Sequence, residues 1–184
     1  KIPVFIEKPP GLSLSQLNEL NNLSKNYKTS NLVGYNRRFY SIIKKLKNNL
    51  KKETIVSAHV EAHERFWLLK KIVKDKFILK NWTTANTSHI LNLLIFLLGD
   101  FKKVTSFSKN NFNRKNIDVN TSALIEFKKK IFATFKSNWN VPGGFLIKIF
   151  CTKHTYILDP LEKCIVINKK FKKKEIKPEK YDIE

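Results

Sequence analysis

Methionine is absent from these 184 residues, and glycine (5), proline (6) and cysteine (2) are scarce. The chain starts at Lys1 and opens directly on an apolar run, Ile2 to Ile6, so we expect a piece of a longer protein. That run is too short for a secretory leader, and its flanks are wrong for one. No apolar stretch approaches the ~18 residues a membrane span needs. The longest, Ile90 to Leu98, is interrupted by Asn92. A soluble, cytoplasmic protein with no membrane partner is expected. Cys151 and Cys164 form neither a C-x-x-C pair nor a metal-ligand spacing. Buried free thiols in a reducing compartment are the plain expectation. No internal repeat is visible.

Acidic residues are also few, 15 against 36 basic ones, which leaves a net charge of +21. Such an excess ordinarily points to nucleic acid or an anionic surface. Arginine, however, is nearly missing: Arg37, Arg38, Arg65 and Arg114 are the only four. Phosphate recognition usually recruits arginine for its bidentate fork. Lys, Asn and Ile share A/T-rich codons, and a base-composition bias accounts for the lysines better. Clusters such as Lys44-Lys45-Lys47, Lys128 to Lys130 and Lys172 to Lys174 therefore read as solvated faces. No specific nucleic-acid partner is expected. The length and a 42% hydrophobic content suit one domain with a real core, or one domain plus part of another.

Residues 2–6 read as a buried parallel strand, ended by Glu7-Lys8-Pro9-Pro10-Gly11. Ser13 or Ser15 can cap a helix on which Leu14, Leu17, Leu20 and Leu23 recur at helical spacing. Leu32 to Tyr35 is a second short strand, which completes one βαβ unit with a parallel pair. Phe39 to Leu50 reads as an amphipathic helix. From Thr54 the period becomes two, through Val56, Ala58, Val60 and Ala62. Residues 84–98 form the most apolar helix, with Gly99 at its end. Strand-like runs follow near 103–108, 121–127, 131–139, 145–151, 155–158 and 164–168, with turns at Val141 to Gly144 and Asp159-Pro160. The fold class is α+β, with a βαβ remnant followed by a mainly antiparallel open sheet. The Lys-rich end, 169–184, shows no hydrophobic closure.

Glu7-Lys8-Pro9 leaves a parallel strand at its carboxyl end, the edge where open α/β sheets bind ligands. The two prolines hold the loop, and a partly desolvated Lys8 there could donate to a substrate hydroxyl. Phe5 to Ser13, then a helix, then Val33-Gly34-Tyr35-Asn36-Arg37-Arg38-Phe39 resembles the Gfo/Idh/MocA (glucose–fructose oxidoreductase / inositol dehydrogenase) family. Thr87-Ser88-His89-Ile90-Leu91-Asn92-Leu93-Leu94 and Leu97-Leu98-Gly99 look like that family's helix with a catalytic histidine, H-x-x-D-l…l-G. The resemblance implies that residues 1–38 end a Rossmann domain and that 39–184 form a substrate and oligomerisation domain. It implies an NAD- or NADP-dependent oxidoreductase acting on a sugar, cyclitol or nucleotide-sugar. Glu7, Lys8 and Pro9 would then lie at the cofactor, with a cis Lys8–Pro9 bond. Lys8 and His89 would be catalytic, with Asn36, Arg37, Asn86 and Asn92 toward the substrate. A homo-oligomer through the open face of the carboxyl-terminal sheet is implied as well. His89 also suits a neutral base on local grounds, since the positive end of a helix disfavours imidazolium.

Two positions depart from the family pattern. Ala85 stands where many relatives have Asp, one turn before the histidine, and H-x-x-D is here His89-x-x-Asn92. Asparagine hydrogen-bonds but does not stabilise imidazolium as a carboxylate does. The glycine-rich phosphate turn G-x-G-x-x-G is missing, so this chain alone is not expected to hold the cofactor well. The alternative from another class is a non-catalytic structural or polyanion-binding subunit that keeps the fold. His59, Glu61 and His63 share one strand face; a polar sheet face, not a metal site, is the expectation. Arg37 and Arg38 could meet an anionic substrate group, or one of them could anchor the junction. Trp82 and Trp139 read as core or interface anchors.

Overall fold

The computed structural model describes residues 2–28, 30–112 and 117–179. The first unit is βαβ: β1 (Val4–Ile6), α1 (Leu14–Tyr27) and β2 (Asn31–Val33), with β1 and β2 parallel. Ser13, rather than Ser15, caps α1, its hydroxyl accepting from the Gln16 amide at 3.2 Å. The strand expected to be buried is not. Val4 is 45% and Phe5 61% exposed, because the described part of this sheet has only two strands and one helix to cover it. The leucines of α1 are exposed for the same reason.

A single-turn 3-10 helix, Asn36–Phe39, leads into α2 (Ser41–Leu50). Eight strands then form one sheet in the order β10-β9-β8-β7-β3-β6-β5-β4. They are β3 (Ile55–Ala62), β4 (Phe101–Phe112), β5 (Ile117–Phe127), β6 (Phe132–Asn138), β7 (Phe145–Cys151), β8 (His154–Leu158), β9 (Cys164–Asn168) and β10 (Lys173–Ile176). All neighbours are antiparallel except β3 and β6. The α+β reading with a mainly antiparallel sheet therefore holds. Strand β10 lies in the Lys-rich end, where no strand was expected. It pairs with β9 through backbone bonds, which need no apolar side chains.

Side chains alternate across the sheet. Ala58, Val60 and Ala62 face inward with Ile125, Ala133, Phe135, Ile147 and Ile149, against Ile42, Ile43 and Leu46 of α2. The same core takes Ile90, Leu93, Leu94, Leu97 and Leu98 from α5 (Ser88–Leu98). Gly99 closes α5 at φ 103°, where a side chain is strained, and its amide bonds to the Ile95 carbonyl at 2.9 Å. Two short helices without a sequence expectation, α3 (Phe66–Ile72) and α4 (Lys76–Lys80), lie between β3 and α5. Asp75 caps α4 through the Phe77 amide at 2.7 Å. Phe66 stacks on Trp139 in a second, smaller core, so Trp139 is a core anchor.

The helix expected over 84–98 starts with a π turn, Thr83–Thr87, before regular α geometry begins at Ser88. Such turns widen the backbone and often mark functional positions.

Candidate active site

The loop after β1 crosses from the βαβ unit to the π turn. Lys8 donates from Nζ to the Ala85 carbonyl at 2.7 Å, and the Lys8–Pro9 bond is cis. Ala85 lies one turn ahead of His89. His89 is only 8% exposed, and its Nδ1 has no hydrogen-bond partner among the described residues. The Tyr35 ring meets the imidazole edge-on, 5.8 Å between centroids. Tyr35 lies two residues past β2, so the carboxyl ends of both strands of the βαβ unit converge on this helix.

Burial, with the charges of Lys8 and Arg37 beside it, pushes the His89 imidazole down to about 4. So lowered, the imidazole favours its neutral form at physiological pH. His89 is the second residue of α5, just past the π turn, and desolvation and two nearby cations weaken its hold on a proton. Lys8 itself is held below the ordinary lysine range, by burial first and then by Arg37. Glu7 and Glu64 act in the opposite direction.

Glu64 was not singled out by the sequence reading. It continues the inward phase of β3, two residues beyond Ala62, and is 7% exposed. Its Oε1 accepts from Asn86 Nδ2 at 2.7 Å. The Trp82 indole N–H lies near the same carboxylate, short of hydrogen-bond geometry. Burial raises the Glu64 carboxyl above the usual carboxylate range, while Asn86 and Arg37 pull it back. The signal that could have found it is parity: a charged residue on the inward phase of an otherwise apolar strand face.

Arg37, Glu64 and Asn86 open together on a cavity of about 270 Å³ whose other walls include Arg65, Phe145 and Glu162. The Arg37 guanidinium lies 4.7 Å over the Phe145 ring, which fixes its plane at the cavity wall. Asn92 turns away from this group: its Oδ1 accepts from Arg38 Nε at 2.5 Å. Arg38 thereby ties the 3-10 helix to α5 and anchors the junction. Asn36 and Glu7 are exposed, and Pro9 is half-buried. His59, Glu61 and His63 do share a face, but Glu61 bridges the two rings at 3.0 and 3.1 Å. Among the described residues no group of three has metal-binding geometry. Cys151 and Cys164 are free, and burial pushes each thiol up to about 12.

Residues 81–157, which hold the π turn, His89 and strands β4 to β7, match the family model of the GFO/IDH/MocA C-terminal domain. The match covers less than half of the chain. No curated protein matches the chain. Among solved structures, a protein from Desulfitobacterium hafniense assigned as an NADPH-dependent oxidoreductase is similar with a TM-score of 0.79 and 20% identity over 97% of this chain and 58% of its own. An Agrobacterium radiobacter oxidoreductase, solved with NAD+, L-tartaric acid and magnesium, gives 0.73 and 18% over 97% and 55%. UDP-N-acetylglucosamine 3-dehydrogenase from Acidithiobacillus ferrooxidans gives 0.75 and 16% over 96% and 56%. These likenesses establish a shared fold. The chain spans little more than half the length of each.

Proposed function

We propose that this chain is the carboxyl-terminal part of an NAD- or NADP-dependent oxidoreductase acting on a hydroxyl-bearing carbon of a sugar, cyclitol or nucleotide-sugar. The single observation that carries this reading is the 2.7 Å bond from Lys8 to the turn ahead of a buried, neutral His89. The relatives named above support the class of chemistry, since one was solved with NAD+ and another is a nucleotide-sugar dehydrogenase. Residues 1–38 are read as the end of the dinucleotide-binding domain and 39–184 as the substrate domain. Glu7, Lys8 and Pro9 fit the nicotinamide end of the cofactor, because Lys8 is half-buried with two ammonium protons left over from its bond to Ala85. When bound, the cofactor supplies or takes up the hydride. Lys8 donates to the substrate oxygen, and neutral His89 accepts the hydroxyl proton on oxidation and returns it on reduction. Arg37 and Asn86 face the substrate from the cavity wall.

In the assembled enzyme we place the partner copy on the outer sheet face. Phe107, Leu124, Phe132 and Phe150 lie there, exposed by 79, 50, 49 and 36%. Among the described residues no helix is long and apolar enough to cross a membrane. The free thiols favour a reducing compartment, which we take to be the cytoplasm.

One observation favours the non-catalytic alternative: Ala85 and Asn92 remove both carboxylates of the family pattern, and Asn92 is taken up by Arg38. Screening the full-length protein with NAD+ and NADP+ against sugars, cyclitols and nucleotide-sugars separates the two. Turnover of any of them supports the enzyme. A folded protein that binds neither cofactor overturns it.

A further inference from the structure

The site lacks the two carboxylates expected on its histidine helix, yet a carboxylate is present, delivered from the other side by β3. We propose that Glu64 is the positioning residue of this site: through Asn86 it holds the π turn that receives Lys8, and it supplies a carboxylate on the inner side of that lysine. The proposal rests on the oxidoreductase reading for its purpose, but its test does not depend on turnover.

Geometry carries it first. Glu64 is inward-facing, 7% exposed and fixed at both backbone ends: its amide donates to Asn138 at 2.9 Å and its carbonyl accepts from Asn140 at 3.0 Å. One carboxylate oxygen receives Asn86 at 2.7 Å. Asn86 is the next residue after Ala85, whose carbonyl receives Lys8. A chain of two hydrogen bonds thus runs from Glu64 through the π turn to the Lys8 ammonium. A buried carboxylate is costly unless paired, and this one has no ion pair among the described residues within bonding range. Its retention at the cavity wall, in a fold whose neighbouring strand positions are Ala and Val, points to a task beyond packing.

The electrostatics agree. The charged groups around Glu64 are Arg37 from the 3-10 helix, Arg65 beside it, Lys8 from the β1 loop, His63 on β3's end and Glu162 from the far wall. Around Lys8 are Arg37, Glu7 and Glu64, with His89 neutral. Burial and Arg37 together drive Lys8 toward losing its proton; Glu64 opposes them from inside the protein and exposed Glu7 from outside it. An inner carboxylate is screened less by salt, so its hold on Lys8 persists where that of Glu7 fades.

The experiment follows the Lys8 Cε and Nζ signals by NMR against pH in the intact protein, assigned by their loss in Lys8→Arg. Glu64→Gln keeps an acceptor for Asn86 and removes the charge. The expected result is a downward shift of the Lys8 midpoint, a loss of proton affinity, with an unchanged fold. An unchanged midpoint in the folded variant overturns the proposal. If Glu64→Gln does not fold, the unsubstituted protein decides: the Asn86 side-chain amide and the Lys8 signals must share an inflection above the ordinary carboxylate range. Failure to share one overturns the proposal equally. Either failure leaves the oxidoreductase reading standing, and an absence of turnover leaves the Glu64–Lys8 coupling standing. In the active enzyme, Glu64→Gln should also shift the basic limb of the kcat/KM profile to lower pH, which loss of a merely structural contact does not do.

Discussion

His89 shows what the sequence discloses about a residue and what only its surroundings supply. Its place was legible because a short ordered motif and an apolar helix mark it. Its surroundings were not, since burial and the approach of Lys8 and Arg37 come from distant segments. The folded ring titrates near 4 and an unfolded histidine near 6.5, so the unfolded state binds more protons between those values. Stability is therefore whole above about pH 6.5 and falls as pH drops toward 4, by on the order of 2 kcal/mol from this group. Urea unfolding of the protein and of His89→Gln at several pH values checks this: the substitution should flatten the slope in that window. Asn92 yields the opposite lesson. The motif suggested an aspartate's stand-in near His89, whereas the fold gives it to Arg38. Asn92→Asp should add an ion pair with Arg38 and raise stability by about 1 kcal/mol. The His89 titration, read by NMR, should move little.

At the scale of elements, periodicity sufficed for α1, α2 and nearly every strand, because each buries or exposes one clean face. It missed α3 and α4, which are too short to show a period and are held by Phe66 packing and the Asp75 cap instead. It also could not show the π turn, since the helix pattern over 84–98 continues through it. Glu64 went unread although strand parity marked it, because a charged residue at a strand's end is usually a solvated one. The turn before β7 carries a further constraint. Gly143 has φ 142°, and an added Cβ would meet the His63 ring 3.1 Å away. Gly143→Ala should cost about 1–3 kcal/mol and disturb the cavity wall and the His63–Glu61 pair. Thermal melting measures the first effect, and the imidazole resonances of His63 the second.

For the whole molecule, the two halves differ in how much of their apolar surface they cover. The carboxyl-terminal sheet closes a full core on one side and presents Phe107, Leu124, Phe132 and Phe150 on the other. If that face receives a second copy, Phe132→Lys should convert the assembly to monomer in sedimentation velocity without lowering the melting of the subunit core. An unchanged assembly would assign the contact elsewhere. Composition left this scale least legible, for a +21 charge suggests a polyanion partner while arginine, the usual reader of phosphate, is scarce. The central claim, however, is that Lys8 and His89 together form the acid–base site of a nicotinamide-dependent oxidoreductase. Its most direct test is kcat in the full-length protein with Lys8→Ala and His89→Ala, beside the Kd for cofactor. Each substitution should lower kcat by ~100- to 10,000-fold while the cofactor Kd changes far less. A kcat that survives Lys8→Ala unchanged would contradict the assignment and leave the E-K-P loop as a mark of fold ancestry alone.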